Sequence, residues 1–193
     1  MRKLFLLLIV ACYFINADAQ LVGLVGGREV RTANPKDGGS AGMSPSKNIV
    51  ENIAASGSNT NFLMLLQSGG LTEKLSGPGP YTVFMPSSDA FTKIPSASIN
   101  TLTETENKKK LTDLLNFHIV AGRLDAASLS AMVKDADGTA TLTTLAGIPL
   151  TVTKKGKKLI ISDGKNLKAT IQSADIEQSN GIIHVIDKVL MAQ

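Results

Sequence analysis

The stretch "NGIIHVIDKVLM", residues 180–191, decides the fold of this 193-residue chain. Its Asn-Gly pair is typical of a tight hairpin turn, and the apolar run behind the turn predicts a strand. Side chains alternate along a strand, so we expect one face to carry Ile182, His184 and Ile186 and the other to carry Ile183, Val185 and Asp187. His184 and Asp187 therefore do not share a face, which argues against a catalytic dyad.

The chain has one other histidine, His118, in the segment "LLNFHIVAG". It shares its predicted face with Asn116 and Val120, which are not zinc ligands. We interpret both histidines as buried imidazoles whose ring nitrogens bond to backbone or hydroxyl groups, because an unsatisfied buried polar group costs roughly 1 to 3 kcal/mol. The histidines therefore predict no metal site and no catalytic residue. No cofactor is expected either, because the sequence has no G-x-x-x-x-G-K, G-x-G-x-x-G or C-x-x-C motif.

Strand patterns continue outward from this stretch through the C-terminal third. The segment "IPLTVTKKGKKLIIS", residues 148–162, predicts two strands joined around Gly156. The segment "NLKATIQSADI", residues 166–176, predicts a strand that pairs with residues 181–190. We interpret the lysines beside Gly156 as solvated side chains that also discourage edge pairing between molecules.

Helical periodicity dominates the first part of the chain. Ile49 and Ile53 form an i, i+4 pair, and Ser46 is a candidate cap for the helix that they predict. Thr103 and Glu106 have the spacing of a capping box before an apolar helix face of Leu111, Leu114 and Leu115. Helices followed by antiparallel strands indicate an α+β domain.

Residues 1–19 have the basic start, short apolar run and Ala-x-Ala end of a secretory signal peptide. We therefore expect secretion to the periplasm or the exterior, and the run is too short for a permanent membrane helix. A lipid anchor on Cys12, the only cysteine, is the less favoured alternative because more apolar residues follow it. Residues 20–45 are predicted to form a flexible Gly-rich arm, and residues 46–193 the folded domain.

The charge balance argues against one class of partner. Lys and Arg number 20 against 16 Asp and Glu, and removal of residues 1–19 would leave an excess of three positive charges. Binding to a nucleic acid backbone needs a concentrated basic stripe, which this dispersed excess does not supply. We therefore expect no nucleic acid partner.

Two short strings resemble catalytic motifs. "GGSAG", residues 38–42, fits G-x-S-x-G, but the preceding "RTANPKD" is not the strand that a nucleophile elbow requires. "SPSK", Ser44 to Lys47, fits S-x-x-K, but the K-T-G and S-D-N companions of that chemistry are missing from the sequence. Helix capping is the preferred explanation of these serines. A periplasmic or surface serine hydrolase that uses Ser44 and Lys47 is the alternative function.

Three segments resemble fasciclin domains. "YTVFMPSSDAF", residues 81–91, is similar to the first signature box, "LLNFHIVAGRL", residues 114–124, to the central Tyr-His segment, and residues 180–191 to the second box. "SPSKNIVENIAAS", residues 44–56, resembles the start of secreted bacterial single-domain members. The matching signature positions are Thr82, Phe84, Pro86, Phe91, His118, Asn180, Gly181, His184 and Asp187.

The resemblance implies a wedge-shaped β-sandwich with helices packed along it. It also implies a non-catalytic adhesion module whose partner is a cell-surface or matrix protein or polysaccharide, with self-association possible. Phe117 and His118 would be the partner-binding residues. Phe117 stands where many members have Tyr, and Met85 and Ser88 stand where Ala and Asn are common. Because Phe117 lacks the hydroxyl and no short acidic motif is present, integrin binding is not expected.

Overall fold

Helices precede strands along the chain, as the sequence predicts. The structure is a computed structural model that describes residues 42–163 and 167–191. Its α-helices are α1 (Ile49–Ala55), α2 (Thr60–Ser68), α3 (Thr72–Ser76), α4 (Ser88–Thr92), α5 (Ser96–Thr103), α6 (Lys108–Phe117) and α7 (Ala126–Asp135), and a 3-10 turn covers Thr105–Asn107. Its strands are β1 (Tyr81–Pro86), β2 (Ile119–Ala121), β3 (Thr139–Thr143), β4 (Pro149–Lys155), β5 (Lys158–Ser162), β6 (Lys168–Gln178) and β7 (Gly181–Ile186).

The N-cap of the first helix lies two residues after Ser46, the predicted cap. Asn48 is the N-cap: its side chain accepts the N–H of Glu51, and the Glu51 carboxylate accepts the N–H of Asn48, each at 2.9 Å. This reciprocal pair satisfies two backbone donors that a helix end leaves open. The prediction of Ser46 as the cap is therefore wrong.

The predicted capping box of Thr103 and Glu106 is also wrong. Thr103 is the last residue of α5, and Glu106 lies in the 3-10 turn that follows. Helix α6 then starts at Lys108 with Asn107 as its N-cap. The predicted apolar face is correct, because Leu111, Leu114 and Leu115 are all buried.

Seven strands form one sheet in the order β2-β1-β7-β6-β5-β4-β3 within the described residues. The two predicted hairpins, β4 with β5 and β6 with β7, are confirmed as antiparallel pairs. One pair in the sheet is not antiparallel, because β1 runs parallel to β7. Parallel partners need a long crossover connection, and α4 to β6 supply it here.

The two ends of the sheet approach each other, which gives the strands the layered arrangement of a sandwich. Val120, at β2, forms a bridge with Thr144, just after β3, and the N–H of Leu145 donates to the carbonyl of Ile119 at 2.8 Å. Helices α1, α2 and α6 contribute to one apolar cluster, and α7 contributes to a second cluster among the strands. The predicted α+β fold, a strand sandwich with helices packed along it, is confirmed.

Strand β7 lies at the centre of this arrangement, and all six of its residues are buried. Ile183 and Val185 belong to the first apolar cluster, whereas Ile186 and Phe84 belong to the second. Both faces of the strand are therefore covered, which explains why its sequence is an almost continuous apolar run rather than an alternating one. His184 lies on the face of Ile186.

The last residues of the predicted arm contact the domain. Asn52, which is fully buried, accepts the N–H of Ser44 and donates to the carbonyl of Ser44, both at 2.7 Å. Met43 packs against the first apolar cluster. We propose that the domain boundary lies at or before Gly42 rather than at Ser46. The remainder of the predicted arm and the predicted signal peptide, with Cys12, lie outside the described residues.

Candidate functional site

His118 is held in the core by two backbone groups. It caps the C-terminus of α6, its Nδ1 lies 2.9 Å from the carbonyl oxygen of Leu114, and its Nε2 accepts the N–H of Leu190 at 3.0 Å. Since a backbone N–H can only donate, Nε2 is the acceptor and Nδ1 carries the proton, which defines a neutral imidazole. Burial lowers the pKa of His118 to about 4, although the bond to Leu114 opposes that shift.

His184 is held in the same way on β7. Its Nε2 donates to the carbonyl of Leu124 at 2.8 Å, and its Nδ1 accepts the N–H of Asp175 at 3.3 Å. The ring stacks on Phe84 with centroids 5.7 Å apart. Burial lowers the pKa of His184, opposed by the bond to Leu124 and by the nearby carboxylates of Asp175 and Asp125. Both histidines thus have backbone partners, as expected from the sequence, and neither has a ring nitrogen free for chemistry.

The partner of His184 on β6 has an unusual backbone. Asp175 has a φ of 61°, in the left-handed region that non-glycine residues rarely adopt, and it lies in an irregularity between Ser173 and Ile176. Its Oδ1 accepts the N–H of Ala126 at 2.7 Å, at the start of α7. His184 and Asp175 together tie the β6 bulge to the loop before α7, which is a structural role that the sequence did not predict.

The partner-binding role expected for Phe117 and His118 needs correction. Their side chains are 1% and 0% exposed, so neither offers a surface to another molecule. Phe117 belongs to the second apolar cluster, which contains Phe84, and His118 makes a tilted contact with Phe62 at 6.2 Å between centroids. The end of α6 turns both side chains into the core.

The first signature box is also structural. Its positions Thr82, Phe84, Pro86 and Phe91 are all buried. The hydroxyl of Thr82 donates to the carbonyl of Gly122 at 2.7 Å and accepts the N–H of Leu124 at 2.9 Å. Through these bonds Thr82 fixes the loop that carries the hydrogen-bond acceptor of His184.

The second signature box fixes the junction between helices and sheet. The side chain of Asn180 accepts the N–H of Ile49 at 3.0 Å and donates to the carbonyls of Leu75 at 2.7 Å and Gly77 at 2.9 Å. A Cβ on Gly181 would overlap the carbonyl oxygen of Tyr81, so only glycine fits where β7 meets β1.

Asp187 completes this box just after β7. Its Oδ1 accepts the N–H of Thr170 at 2.7 Å, and its own N–H donates to the carbonyl of Thr170 at 3.1 Å. Its carbonyl accepts a bond from the Lys93 ammonium at 3.1 Å. Asp187 therefore closes the end of the β6–β7 pair and does not face His184.

Ser44 and Lys47 do not form the arrangement that an S-x-x-K nucleophile needs. The hydroxyl of Ser44 bonds to that of Ser46 at 2.8 Å, and both precede the first turn of α1. Lys47 is exposed, and within the described residues its ammonium makes no hydrogen bond to Ser44. Of "GGSAG", only Gly42 falls within the described residues.

A groove of about 510 Å³ opens between α7 and the β4–β5 hairpin. Lys134 and Lys154 line it together with Val133 and the small residues Ser130, Ala131, Gly138 and Gly156. Residues 134 and 154 are twenty positions apart, so the sequence alone did not place them together. This lysine-lined groove is the candidate binding surface of the domain.

Two further properties concern the described residues alone. No group of three or more His, Cys, Asp or Glu side chains there is arranged to hold a metal ion. None of the helices in residues 42–163 and 167–191 has the length and apolarity that a membrane crossing requires.

Comparisons with known proteins agree with this architecture. The family model of the fasciclin domain matches residues 57–192. Protein sll1483 of Synechocystis sp. is 36% identical over 143 residues, which are 74% of this chain and 72% of that protein. Immunogenic protein MPB70 of Mycobacterium bovis is 32% identical over 184 residues, 91% of this chain and 84% of that one.

A solved structure has the same fold. It is a FAS1 domain pair from the insect cell adhesion molecule Fasciclin I, with a TM-score of 0.67 and 17% identity. The likeness covers 76% of this chain but only 51% of that one, about half of a chain that contains two domains. The family match over residues 57–192, the two bacterial relatives and the shared fold lead to one conclusion: the chain belongs to the fasciclin domain family.

Proposed function

We propose that this protein is a secreted, non-catalytic binding module that attaches cells or matrix to a surface. The proposal rests on the two histidines, whose ring nitrogens are all occupied inside the domain. All four of their ring nitrogens are engaged by backbone groups inside the domain. Side chains held in this way stabilise the fold, so a partner would contact the surface of the domain instead. The similar fold in a protein described as a cell adhesion molecule supports the same function.

We propose secretion because residues 1–19 have the pattern of a signal peptide. Expression of the full chain in a bacterial host, followed by mass measurement of the exported protein, tests this step. A mature N-terminus at Gln20 supports secretion by ordinary cleavage. A protein that begins at Cys12 and carries lipid would instead support the anchored alternative. An uncleaved protein that stays in the cytoplasm would contradict both.

The proposed partner is a cell-surface or matrix protein or polysaccharide, with self-association as a further possibility. The test is binding of the purified mature chain to cell-envelope material from the organism that carries the gene, measured over a range of protein concentrations. Saturable binding that leaves the envelope material chemically unchanged supports a binding module. Absence of binding at any concentration would contradict the proposal.

The hydrolase alternative is tested on the same preparation with a serine-reactive fluorophosphonate probe. We expect no stoichiometric labelling, because the Ser44 hydroxyl bonds to Ser46. Stoichiometric labelling that disappears in Ser44→Ala, while Ser46→Ala keeps it, would overturn the non-catalytic proposal.

A further inference from the structure

Five lysines gather at one end of the domain, and we call them the lysine end. Four of them lie on the β4–β5 hairpin and one on α7: Lys154, Lys155, Lys157, Lys158 and Lys134. The ion pairs recorded among the described residues involve other side chains, Lys109 with Asp113 and Arg123 with Glu177. The lysine end therefore has no carboxylate partner in the part of the chain that the structure describes.

A local charge excess lies in the segment that carries this end, although the balance over the whole chain indicated a dispersed one. Residues 126–162 contain the five lysines and two acidic residues, Asp135 and Asp137. Their excess of three positive charges equals the whole excess of residues 20–193, so the rest of that segment is neutral on balance. A dispersed surface charge for solubility would not require this asymmetry.

Protection of strand edges accounts for part of this arrangement. In the sheet order β4 lies between β3 and β5, and β5 lies between β4 and β6. The pairing with β3 ends at Thr153 and the pairing with β6 begins at Ile160, so the hairpin lysines occupy a tip that extends beyond both neighbours. Charged residues discourage intermolecular pairing at such open edges, as the sequence predicts. Lys134 lies on α7, so edge protection does not explain its position.

Two of the lysines face each other across the hairpin. Lys155 and Lys158 are direct cross-strand partners beside the turn at Gly156. Like charges in this position destabilise a hairpin, because their Cβ atoms lie only about 5 Å apart. A bound anion would relieve that repulsion. The Lys155–Lys158 pair therefore favours an anionic ligand at the hairpin tip.

The groove provides space for more than a single ion. Lys134 and Lys154 line its opposite sides, and Gly138 and Gly156 leave it open to solvent. It is a shallow, open depression of about 510 Å³, and its lining includes no aromatic side chain. Of the five lysines, Lys134 and Lys154 line this shallow space. Side chains alternate along a strand, so the paired Lys155 and Lys158 lie on the other face of the hairpin, at its tip.

We propose that the lysine end binds an acidic polysaccharide, with its carboxylate or sulfate groups on the lysines and a sugar ring in the groove. This inference rests on the proposed binding function and names the ligand of that module. Arginine is preferred for bidentate phosphate contacts, and single-stranded nucleic acid needs aromatic platforms. The lysine end has neither, so a polymer with separated charges fits it better than a nucleic acid.

The test uses the mature full chain with alginate, a carboxylate polysaccharide, against neutral dextran and a single-stranded oligodeoxynucleotide. The hairpin variant replaces Lys155, Lys157 and Lys158 by Gln. A matched control replaces Lys108, Lys109 and Lys110 on α6 by Gln, which removes the same charge elsewhere. Melting temperatures of all variants are measured beside the binding. The hairpin variant should melt no lower than the wild type, because it loses a like-charge pair.

We expect wild-type binding to alginate that weakens with added salt, and no binding to dextran. The hairpin variant should bind at least tenfold more weakly, and the α6 control should remain within twofold of wild type. Lys134→Gln should weaken binding several-fold, because Lys134 lines the groove. Equal losses in the hairpin variant and the control, or tighter binding to the oligonucleotide than to alginate, would overturn the proposal.

The same samples separate this inference from the proposed function. If the wild type binds envelope material but not alginate, the polysaccharide site is refuted and the binding module stands. If it binds neither, the proposed function itself fails.

Discussion

Acidification should destabilise this domain through its buried histidines. The perturbation is a change from pH 8 to pH 5, across the pKa of about 6.5 that a histidine has in an unfolded chain. In the fold, burial holds the pKa of His118 at about 4, and the pKa of His184 is also lowered. Between these values the unfolded state binds protons that the native state does not, so the free energy of unfolding falls as pH falls.

The magnitude follows from the two pKa values of His118. At pH 8 both states leave the ring neutral, so His118 contributes no pH dependence. At pH 5 the unfolded ring is almost fully protonated and the native ring is mostly neutral. The difference lowers the free energy of unfolding by about 2 kcal/mol. His184 adds to this loss in the same direction.

Urea unfolding of the mature protein at pH 8, 7, 6 and 5 measures the effect. Carboxylates with ordinary pKa values near 4 contribute little over this range, so the histidines dominate it. The chain has only two histidines, which makes His118→Gln and His184→Gln a matched pair of variants. Each should be less stable than wild type at pH 8 but should lose less stability on acidification, and His118→Gln should lose about 2 kcal/mol less.

Two results would refute this reasoning. One is a wild-type stability that stays constant or rises from pH 8 to pH 5, which would mean that the native rings accept protons readily. The other is an unchanged pH dependence in both variants, which would place its origin outside the histidines. The m-value must stay constant for the comparison, because a changed slope would report a change in the unfolded state.

Three other changes test the structural roles of the signature and boundary residues in the same urea and thermal experiments. Asn180→Ala should lower the free energy of unfolding by about 2 to 4 kcal/mol, because it leaves buried backbone groups unpaired. The exposed control Asn61→Ala should change it by no more than about 0.5 kcal/mol, and equal losses would contradict the role of Asn180. Gly181→Ala should lower the free energy of unfolding by about 3 kcal/mol or more, because the added Cβ would overlap the carbonyl oxygen of Tyr81. An unchanged free energy of unfolding would refute that contact. Deletion of residues 20–41 should leave the melting temperature unchanged, but deletion of residues 20–47 should lower it by roughly 5 °C because the buried Asn52 side chain loses its bonds to Ser44 and Lys47; equal effects would refute the boundary at Gly42.

Local patterns predicted much of the fold. The β4–β5 and β6–β7 hairpins follow from alternation and from turns at Gly156 and Asn180-Gly181, which act over a few residues. The parallel pairing of β1 with β7 could not be predicted in the same way. Its partners are about 100 positions apart, and nothing in either segment specifies the direction of pairing.

Helix starts were harder to predict than helix faces. The segment before α1 contains Ser44, Ser46 and Asn48, and all three residue types are good caps. Only the Glu51 carboxylate three residues after Asn48 identifies the true one. The sequence contains this signal, so the N-cap was predictable.

Most of the candidate site could not be predicted from the sequence. Resemblance indicated Phe117 and His118 as partner-binding residues, but the end of α6 turns both into the core. The hairpin lysines were visible in the sequence, but their proximity to Lys134 on α7 depends on the tertiary structure.

The central claim is that this domain binds a surface without chemistry and without direct use of its signature histidines. Its most direct test is a saturation isotherm of the mature protein on envelope material at pH 8, for wild type and His184→Gln, with folding of each verified. We predict saturable binding by both proteins with dissociation constants within about twofold, since the substituted side chain is buried. Loss of binding by a folded His184→Gln, or release of a soluble product from the envelope material, would contradict the claim.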